Sequence, residues 1–230
     1  MRRILACILL LGLVVLPVRA DSPKYVALTF DDGPSGKYTR ELLDGLALRG
    51  VKATFLLCGY RMEQYPDITQ RIFDEGHEIG YHGYSHKTME NMSRRSIGQE
   101  LMDSMALLPE DCDPVFFRPP GGIVTDGVRQ VAEARQLAIL SWSVDPKDWA
   151  TTSVGNIETS VLKQVGDGDI ILLHDMSVSS VQAALDIVDV LQGQGYRFVT
   201  VSELAKIRKT PIRPGRMYER FPPKTEEAVK

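Results

Sequence analysis

The chain alternates. Short runs rich in β-forming residues lie at 25–30, 53–57, 78–81, 115–118, 138–144, 170–174 and 197–199. Between them, residues 38–49, 93–108, 127–135, 154–165 and 178–192 carry helical spacing. The last stretch sets Val181, Ala184, Leu185, Val188 and Leu191 at i, i+3, i+4, i+7 and i+10, which is one buried helix face. Repeated β–α alternation buries its strands in a mostly parallel sheet covered by helices or in a (β/α) barrel. Seven strands in a domain of about 180 residues fit a small, distorted (β/α) barrel better than a doubly wound sheet. The first run leads into Asp31-Asp32-Gly33-Pro34, a turn with no glycine-rich phosphate loop, so nucleotide binding has no support.

Polar residues sit where these runs end. Asp31 and Asp32 follow the first, His82 and His86 the third, Arg118 the fourth, Asp145 the fifth, and His174 closes the sixth. In a parallel β/α architecture these ends share one face, and that face carries the site. The chain has four histidines in all, and two stand in His82-Gly83-Tyr84-Ser85-His86, a polar, glycine-containing segment rather than an apolar helix face. Two imidazoles and one carboxylate form a catalytic metal-ligand set that keeps a position open for water. Adjacent carboxylates facing one pocket repel unless a cation relieves them. One of Asp31 and Asp32 is then a ligand and the other a free base, with Arg118 placed to pair with the free one. His174 is the candidate general acid, because imidazole titrates near neutrality. His77 precedes a strand and reads as structural. Trp142 and Trp149 flank Asp145 and Asp148; core packing is the usual work of tryptophan, and only Trp149 suggests a wall for a sugar ring.

The first twenty residues stand apart. Arg2 and Arg3 precede an apolar run at 4–15, Pro17 breaks it, and Val18-Arg19-Ala20 fits a cleavage site before Asp21. The run is shorter than the roughly 20 residues a span requires, so residues 1–20 read as a secretory signal peptide that leaves no stable membrane span after cleavage. The expected location is secreted or periplasmic. Cys58 and Cys112 remain, and the strand reading puts them at opposite ends of a parallel sheet, beyond the ~7 Å that a disulfide allows between Cα atoms; two free thiols are expected. The composition, 43% hydrophobic and 25% charged over 230 residues, is that of a folded domain. Residues 21–204 hold 16 Lys+Arg against 27 Asp+Glu, a balance of −11 that argues against nucleic acid as substrate. Residues 205–230 hold 8 against 3, and with four prolines this end reads as a basic, flexible tail from 206 onward. Nothing in the sequence sets an oligomeric state.

Together these segments resemble the polysaccharide deacetylase family, also called the NodB homology domain or carbohydrate esterase family 4, over residues 24–205, so that 21–205 form the catalytic domain. Thr29-Phe30-Asp31-Asp32-Gly33-Pro34 is similar to the first family motif and implies Asp31 as catalytic base and Asp32 as metal ligand. The His82–His86 segment resembles the second, with both histidines as ligands and Tyr84 a candidate substrate contact. Arg118-Pro119-Pro120-Gly121-Gly122 resembles the third, whose arginine orients the base and whose backbone N–H, here that of Gly121, faces the oxyanion. Asp145-Pro146-Lys147-Asp148-Trp149 is similar to the fourth, with Trp149 lining a groove and an acidic residue, Asp145 or Asp148, supporting the arginine or the acid. Residues 170–174 resemble the fifth, with Leu172 beside the acetyl methyl and His174 as the acid. Gly121 stands where the family often has tyrosine, and Tyr81 where it often has asparagine. The resemblance implies one divalent metal ion, zinc first, with cobalt, nickel or manganese as alternatives. It also implies removal of N-acetyl groups from N-acetylglucosamine-containing glycans such as peptidoglycan or chitin oligosaccharides. The competing readings are a metal-dependent amidohydrolase for a small amide and a non-catalytic glycan-binding protein.

Overall fold

The computed structural model describes residues 23–224. In chain order its elements are β1 (Lys24–Asp31), α1 (Tyr38–Leu48), β2 (Thr54–Leu57), α2 (Gly59–Gln64), α3 (Pro66–Asp74), β3 (Glu78–Tyr81), α4 (Arg94–Met105), β4 (Phe116–Phe117), α5 (Asp126–Ala134), β5 (Ala138–Leu140), α6 (Val154–Gln164), β6 (Ile170–His174), α7 (Val178–Gly193), β7 (Tyr196–Phe198), α8 (Val201–Ile207) and β8 (Met217–Tyr218). Every pairing between these strands is parallel. The order β6-β1-β2-β3-β4-β5-β8 curls into an open barrel, with β7 on β1 below β2. Beyond β5 the chain bridges at Val144 to Ile171, and the Leu172 N–H donates to the Val144 carbonyl at 2.9 Å, so the ring closes beside the first half of β6.

The strand period of two sorts side chains between two cores. In β1, Val26, Leu28 and Phe30 join the outer core with Leu42, Leu43 and Leu46 of α1 and Val181, Ala184, Ile187, Val188 and Leu191 of α7. Ala27 belongs to the inner core, with Leu56, Phe116, Leu140 and Ile170. Thr29 and Asp31 continue that inward phase. Each fully buried Leu or Phe in these layers contributes about 1.5–3 kcal/mol relative to exposure. Hydroxyl caps start the helices: Ser93, Thr125, Ser153 and Ser177 accept from the N–H three residues on, and Thr200 with Glu203 forms a capping box on α8.

The seven expected strands are present, although the fifth ends at Leu140 rather than at 144 and the fourth is only Phe116–Phe117, and α1, α4, α5, α6 and α7 match the expected helices closely. The basic end departs from expectation, because residues 206–224 are folded. α8 lies across the lower mouth of the barrel, where Val201 donates to Thr54 Oγ1 at 3.0 Å and Ser202 donates to Glu78. The chain then returns as β8, pairs with β5, and occupies the gap that the barrel leaves between β5 and β6. Tyr218 and Phe221 are 5% and 2% exposed. The Phe221 N–H bonds the Gly168 carbonyl at 2.7 Å, and a side chain at Gly168, which has φ +92°, would overlap the Phe221 carbonyl. Two aromatics inside an inner core outweigh the prolines around them. Cys58 and Cys112 are free. The expected signal peptide lies outside the described residues, and no described helix is long and apolar enough to cross a membrane.

Candidate active site

Asp31 ends β1 on the inner face and is 3% exposed. Arg118, carried just past β4, is fully buried. Its Nη1 donates to Asp31 Oδ1 at 2.6 Å and to Thr29 Oγ1 at 2.9 Å, and its Nη2 donates to the Ser141 carbonyl at 2.8 Å. Thr29 passes its own proton to the Ile171 carbonyl at 2.8 Å. A buried guanidinium needs its donors satisfied and its charge matched, and β1 and the end of β5 supply those partners.

Asp32 follows at φ +73°, left-handed and strained for a residue with a β-carbon. That turn sends it away from Arg118 and toward the histidines. Asp32 Oδ1 lies 3.2 Å from His82 Nε2 and 3.0 Å from His86 Nε2, and the three donor atoms fall within 4.8 Å of one another. The His82 Nδ1 sits 2.7 Å from the Arg118 carbonyl, which can only accept, so Nδ1 carries the proton and Nε2 presents a lone pair. Asp32 Oδ1 is buried without a hydrogen-bond partner and faces that lone pair. Acceptor against acceptor is repulsive, and a cation makes it attractive, so the donor set fits a metal ion. His86 is held by a loop that Glu100 of α4 clamps, accepting from the Tyr84 and Ser85 N–H groups at 2.8 and 2.7 Å and from the Ser85 hydroxyl at 2.8 Å.

His174 ends β6, in register beside Asp31 on the neighbouring strand. Its Nδ1 pairs with Asp148 Oδ1 at 2.8 Å, while Asp148 Oδ2 accepts the His174 backbone N–H at 2.8 Å. Nδ1 is thereby occupied and Nε2 is the nitrogen left available. Burial pulls the imidazole down, but the Asp148 carboxylate, with Asp31 and Asp32 beyond it, outweighs this and raises it to about 9. Asp145 does not share this work: its carboxylate accepts the Lys147 N–H at 2.8 Å and shapes the turn that delivers Asp148.

These groups border one cleft of about 350 Å³, lined by Asp31, Asp32, His82, His86, Gly121, Gly122, Trp142, Asp145, Trp149, Leu172 and His174. Gly121 has φ +70°, and no atom stands within 4 Å of where its side chain would be. Trp149 is 69% exposed and also borders a second cavity of about 650 Å³ toward the start of α7. Tyr84, expected at the substrate, is not on this wall. The left-handed turn at Gly83 directs it over α2, where its hydroxyl bonds Glu63 at 2.7 Å. Four supporting residues escaped the sequence reading. Thr29 and Ser141 contact Arg118, Glu100 clamps the loop, and Asp175, wholly buried, bonds Thr39 and packs 2.7 Å from where a Gly33 side chain would begin. Burial pushes the Asp175 carboxyl up to about 6. His77 is structural as expected, its Nδ1 accepting the Ala53 N–H at 3.1 Å.

The family model for polysaccharide deacetylase matches residues 19–140. The chain belongs to that family. A peptidoglycan-N-acetylglucosamine deacetylase of Bacillus cereus is 38% identical over 194 residues, which are 82% of this chain and 91% of that protein. The peptidoglycan-N-acetylmuramic acid deacetylase PdaC of Bacillus subtilis is 36% identical over 81% of this chain, but this chain spans only 40% of PdaC. Among solved structures, a family 4 acetyl xylan esterase from Clostridium thermocellum in complex with a cobalt ion superposes with a TM-score of 0.80 at 36% identity, covering 86% of this chain and all of that one.

Proposed function

We propose that this polysaccharide deacetylase hydrolyses N-acetyl groups of N-acetylglucosamine-containing glycans of the cell envelope, peptidoglycan first, releasing acetate and leaving a free amine. The observation that carries the reading is a pair of oriented ion pairs, Asp31–Arg118 and His174–Asp148, that share one cleft with a three-donor cluster. Asp32, His82 and His86 would hold a divalent cation, zinc or cobalt, which when bound supplies Lewis-acid polarisation of the amide carbonyl and of water.

The remaining chemistry belongs to the chain. Asp31, fixed by Arg118, takes a proton as water attacks the acetamide carbonyl. Arg118 is too enclosed to touch substrate and acts by aiming that carboxylate. The Gly121 N–H is assigned the developing oxyanion, a role worth roughly 3–4 kcal/mol where a single donor has been removed in other enzymes. His174, locked by Asp148 with Nε2 toward the cleft, gives a proton to the departing nitrogen. Leu172 forms the floor against the acetyl methyl, and Trp149 offers a flat wall to a sugar ring. The open cleft suits a polymer better than a small enclosed amide. Secretion, through residues 1–20, would bring the chain to such a polymer.

The deciding experiment is acetate release from peptidoglycan, chitooligosaccharides and acetylated xylan, with added zinc or cobalt. Metal-dependent release from the amino-sugar glycans is expected, with Asp31→Asn still binding metal but turning over about 10²–10⁴-fold more slowly. A near-normal rate for Asp31→Asn would sink the assignment of the base, and release from xylan alone would replace amide by ester hydrolysis.

A further inference from the structure

The folded C-terminal segment gives the molecule a second charged surface. Residues 205–224 contain seven Lys and Arg against one Glu, in a chain whose residues 21–204 balance at −11. Two of those cations are internally matched, Arg208 with Asp167 and Arg220 with Asp169. Lys206, Lys209, Arg213, Arg216 and Lys224 are exposed and have no carboxylate partner among the described residues. Packing fixes where they sit. Val201, Leu204 and Ala205 of α8 belong to the inner core with Ala27 and Phe116, so α8 plugs the lower mouth and turns its other side outward. Tyr218 accepts the Arg213 N–H at 2.9 Å and donates to the Pro211 carbonyl at 3.0 Å, which ties the 211–218 loop beneath the barrel. Lys24 and Arg197, exposed at the lower ends of β1 and β7, extend the same surface. The active-site cleft lies at the upper ends of the strands, on the opposite face.

We infer that this lower face docks on the anionic headgroup surface of a phospholipid bilayer, holding the catalytic cleft outward. Two observations select a bilayer. Charge complementarity is the first: a basic face on an acidic body is drawn to an anionic plane while the rest of the body is repelled from it, which sets orientation as well as affinity. The second is that Ile207 and Met217 are each 39% exposed among these cations, side chains that a headgroup interface accommodates and a soluble polyanion does not reward. The inference is independent of which acetylated glycan the cleft takes.

The test is co-sedimentation of the mature chain, residues 21–230, with vesicles of phosphatidylcholine containing about a third phosphatidylglycerol, compared with pure phosphatidylcholine and with long-chain inorganic polyphosphate. The wild type is compared with the quadruple variant Lys206→Gln/Lys209→Gln/Arg213→Gln/Arg216→Gln and with Ile207→Ser/Met217→Ser. Binding to the anionic vesicles, lost in high salt and at least about thirtyfold weaker in the quadruple variant, is expected from the contribution of each cation near such a surface. The apolar pair should weaken vesicle binding severalfold and leave polyphosphate binding unchanged. Thermal melting and acetate release from a soluble oligosaccharide should match wild type in both variants, because none of these residues borders the cleft. Equal binding to neutral vesicles, or vesicle binding that the quadruple variant retains, would overturn the inference. Polyphosphate binding that exceeds vesicle binding and ignores the apolar pair would overturn the bilayer as occupant.

Discussion

Asp148→Asn isolates the reason His174 is available as an acid. In the wild type the imidazole is raised from 6.5 to about 9, against the effect of its own burial. That rise is a preference for the protonated ring of about 3.4 kcal/mol. Asp148 supplies the hydrogen bond to Nδ1 at 2.8 Å and the nearest negative charge. Asparagine keeps the shape and a hydrogen-bonding group but removes the charge, while burial continues to oppose protonation. His174 should then titrate at or below its ordinary 6.5. At pH 8 a group at 9 is roughly 90% protonated and one at 6.5 roughly 3%, so kcat/KM should fall there by up to about thirtyfold from protonation alone, less to the extent that a bound cation offsets Asp31 and Asp32. Near pH 6 the variant should recover much of that loss. Stability has a linked sign. A raised folded pKa contributes fully below 6.5 and is lost as pH rises through about 9. The wild type should therefore lose about 3 kcal/mol across that window, and the variant should not. The assay is kcat/KM against pH from 5 to 10 at fixed metal, with urea melts at pH 6 and 9. A descending limb at the same pH in both proteins, or a loss that is equal at every pH, would refute the argument.

Arg118→Met leaves Asp31 buried without its partner, which should cost about 3–5 kcal/mol and lower the midpoint of thermal melting by roughly 10 °C; the double variant with Asp31→Asn should regain part of that, and additive losses would show that the two do not interact. Phe221→Ala should destabilise by about 3–5 kcal/mol because it opens a cavity beside Gly168, whereas a loss under about 0.5 kcal/mol in denaturant melts would mean that the C-terminal strand is not part of the fold. Burial beside Lys52 lowers His77 to about 4, so its neutral form supports the fold above 6.5 and that support, about 3 kcal/mol, drains away as pH falls from 6.5 toward 4; His77→Gln should flatten urea-melt stability over that window, and an unchanged slope would place the acid sensitivity elsewhere.

Much of this molecule is legible in its sequence. The alternation located the seven strands because each is apolar and bounded by turn residues, and parallel pairing then put the polar strand ends on one face. What escaped was short or encoded at long range. β8 is two residues, Met217–Tyr218, and it pairs with a strand some eighty positions earlier, a contact that no local pattern announces. Prolines around it read as flexibility, although Tyr218 and Phe221 were the stronger signal. The α8 helix did have a local mark, Thr200-Val201-Ser202-Glu203, the spacing of a capping box. Glu100 and Asp175 had none: each is one acidic residue whose role follows from where a distant loop passes.

Asp31 and Asp32 show how one strand end supplies two different chemistries. Left in regular β geometry, consecutive side chains would point to opposite faces, one into the barrel and one into the outer core beneath the helices. A carboxylate in that outer layer would lie among Phe30, Leu57 and Leu173, unpaired and unhydrated. The left-handed φ of +73° at Asp32 avoids this by lifting the second carboxylate over the rim toward His82 and His86. Such a conformation costs on the order of 1–2 kcal/mol in a residue with a β-carbon. His86 at φ +57° and Lys147 at φ +55° carry the same strain in two of the other loops that border the cleft. Glycine at 32 would relieve the backbone and abolish the ligand, so Asp32→Gly should raise the melting temperature of the metal-free protein while removing its affinity for zinc. If that variant instead melts lower with no metal present, the left-handed turn is held by the Asp32 side chain itself, and the strain argument fails.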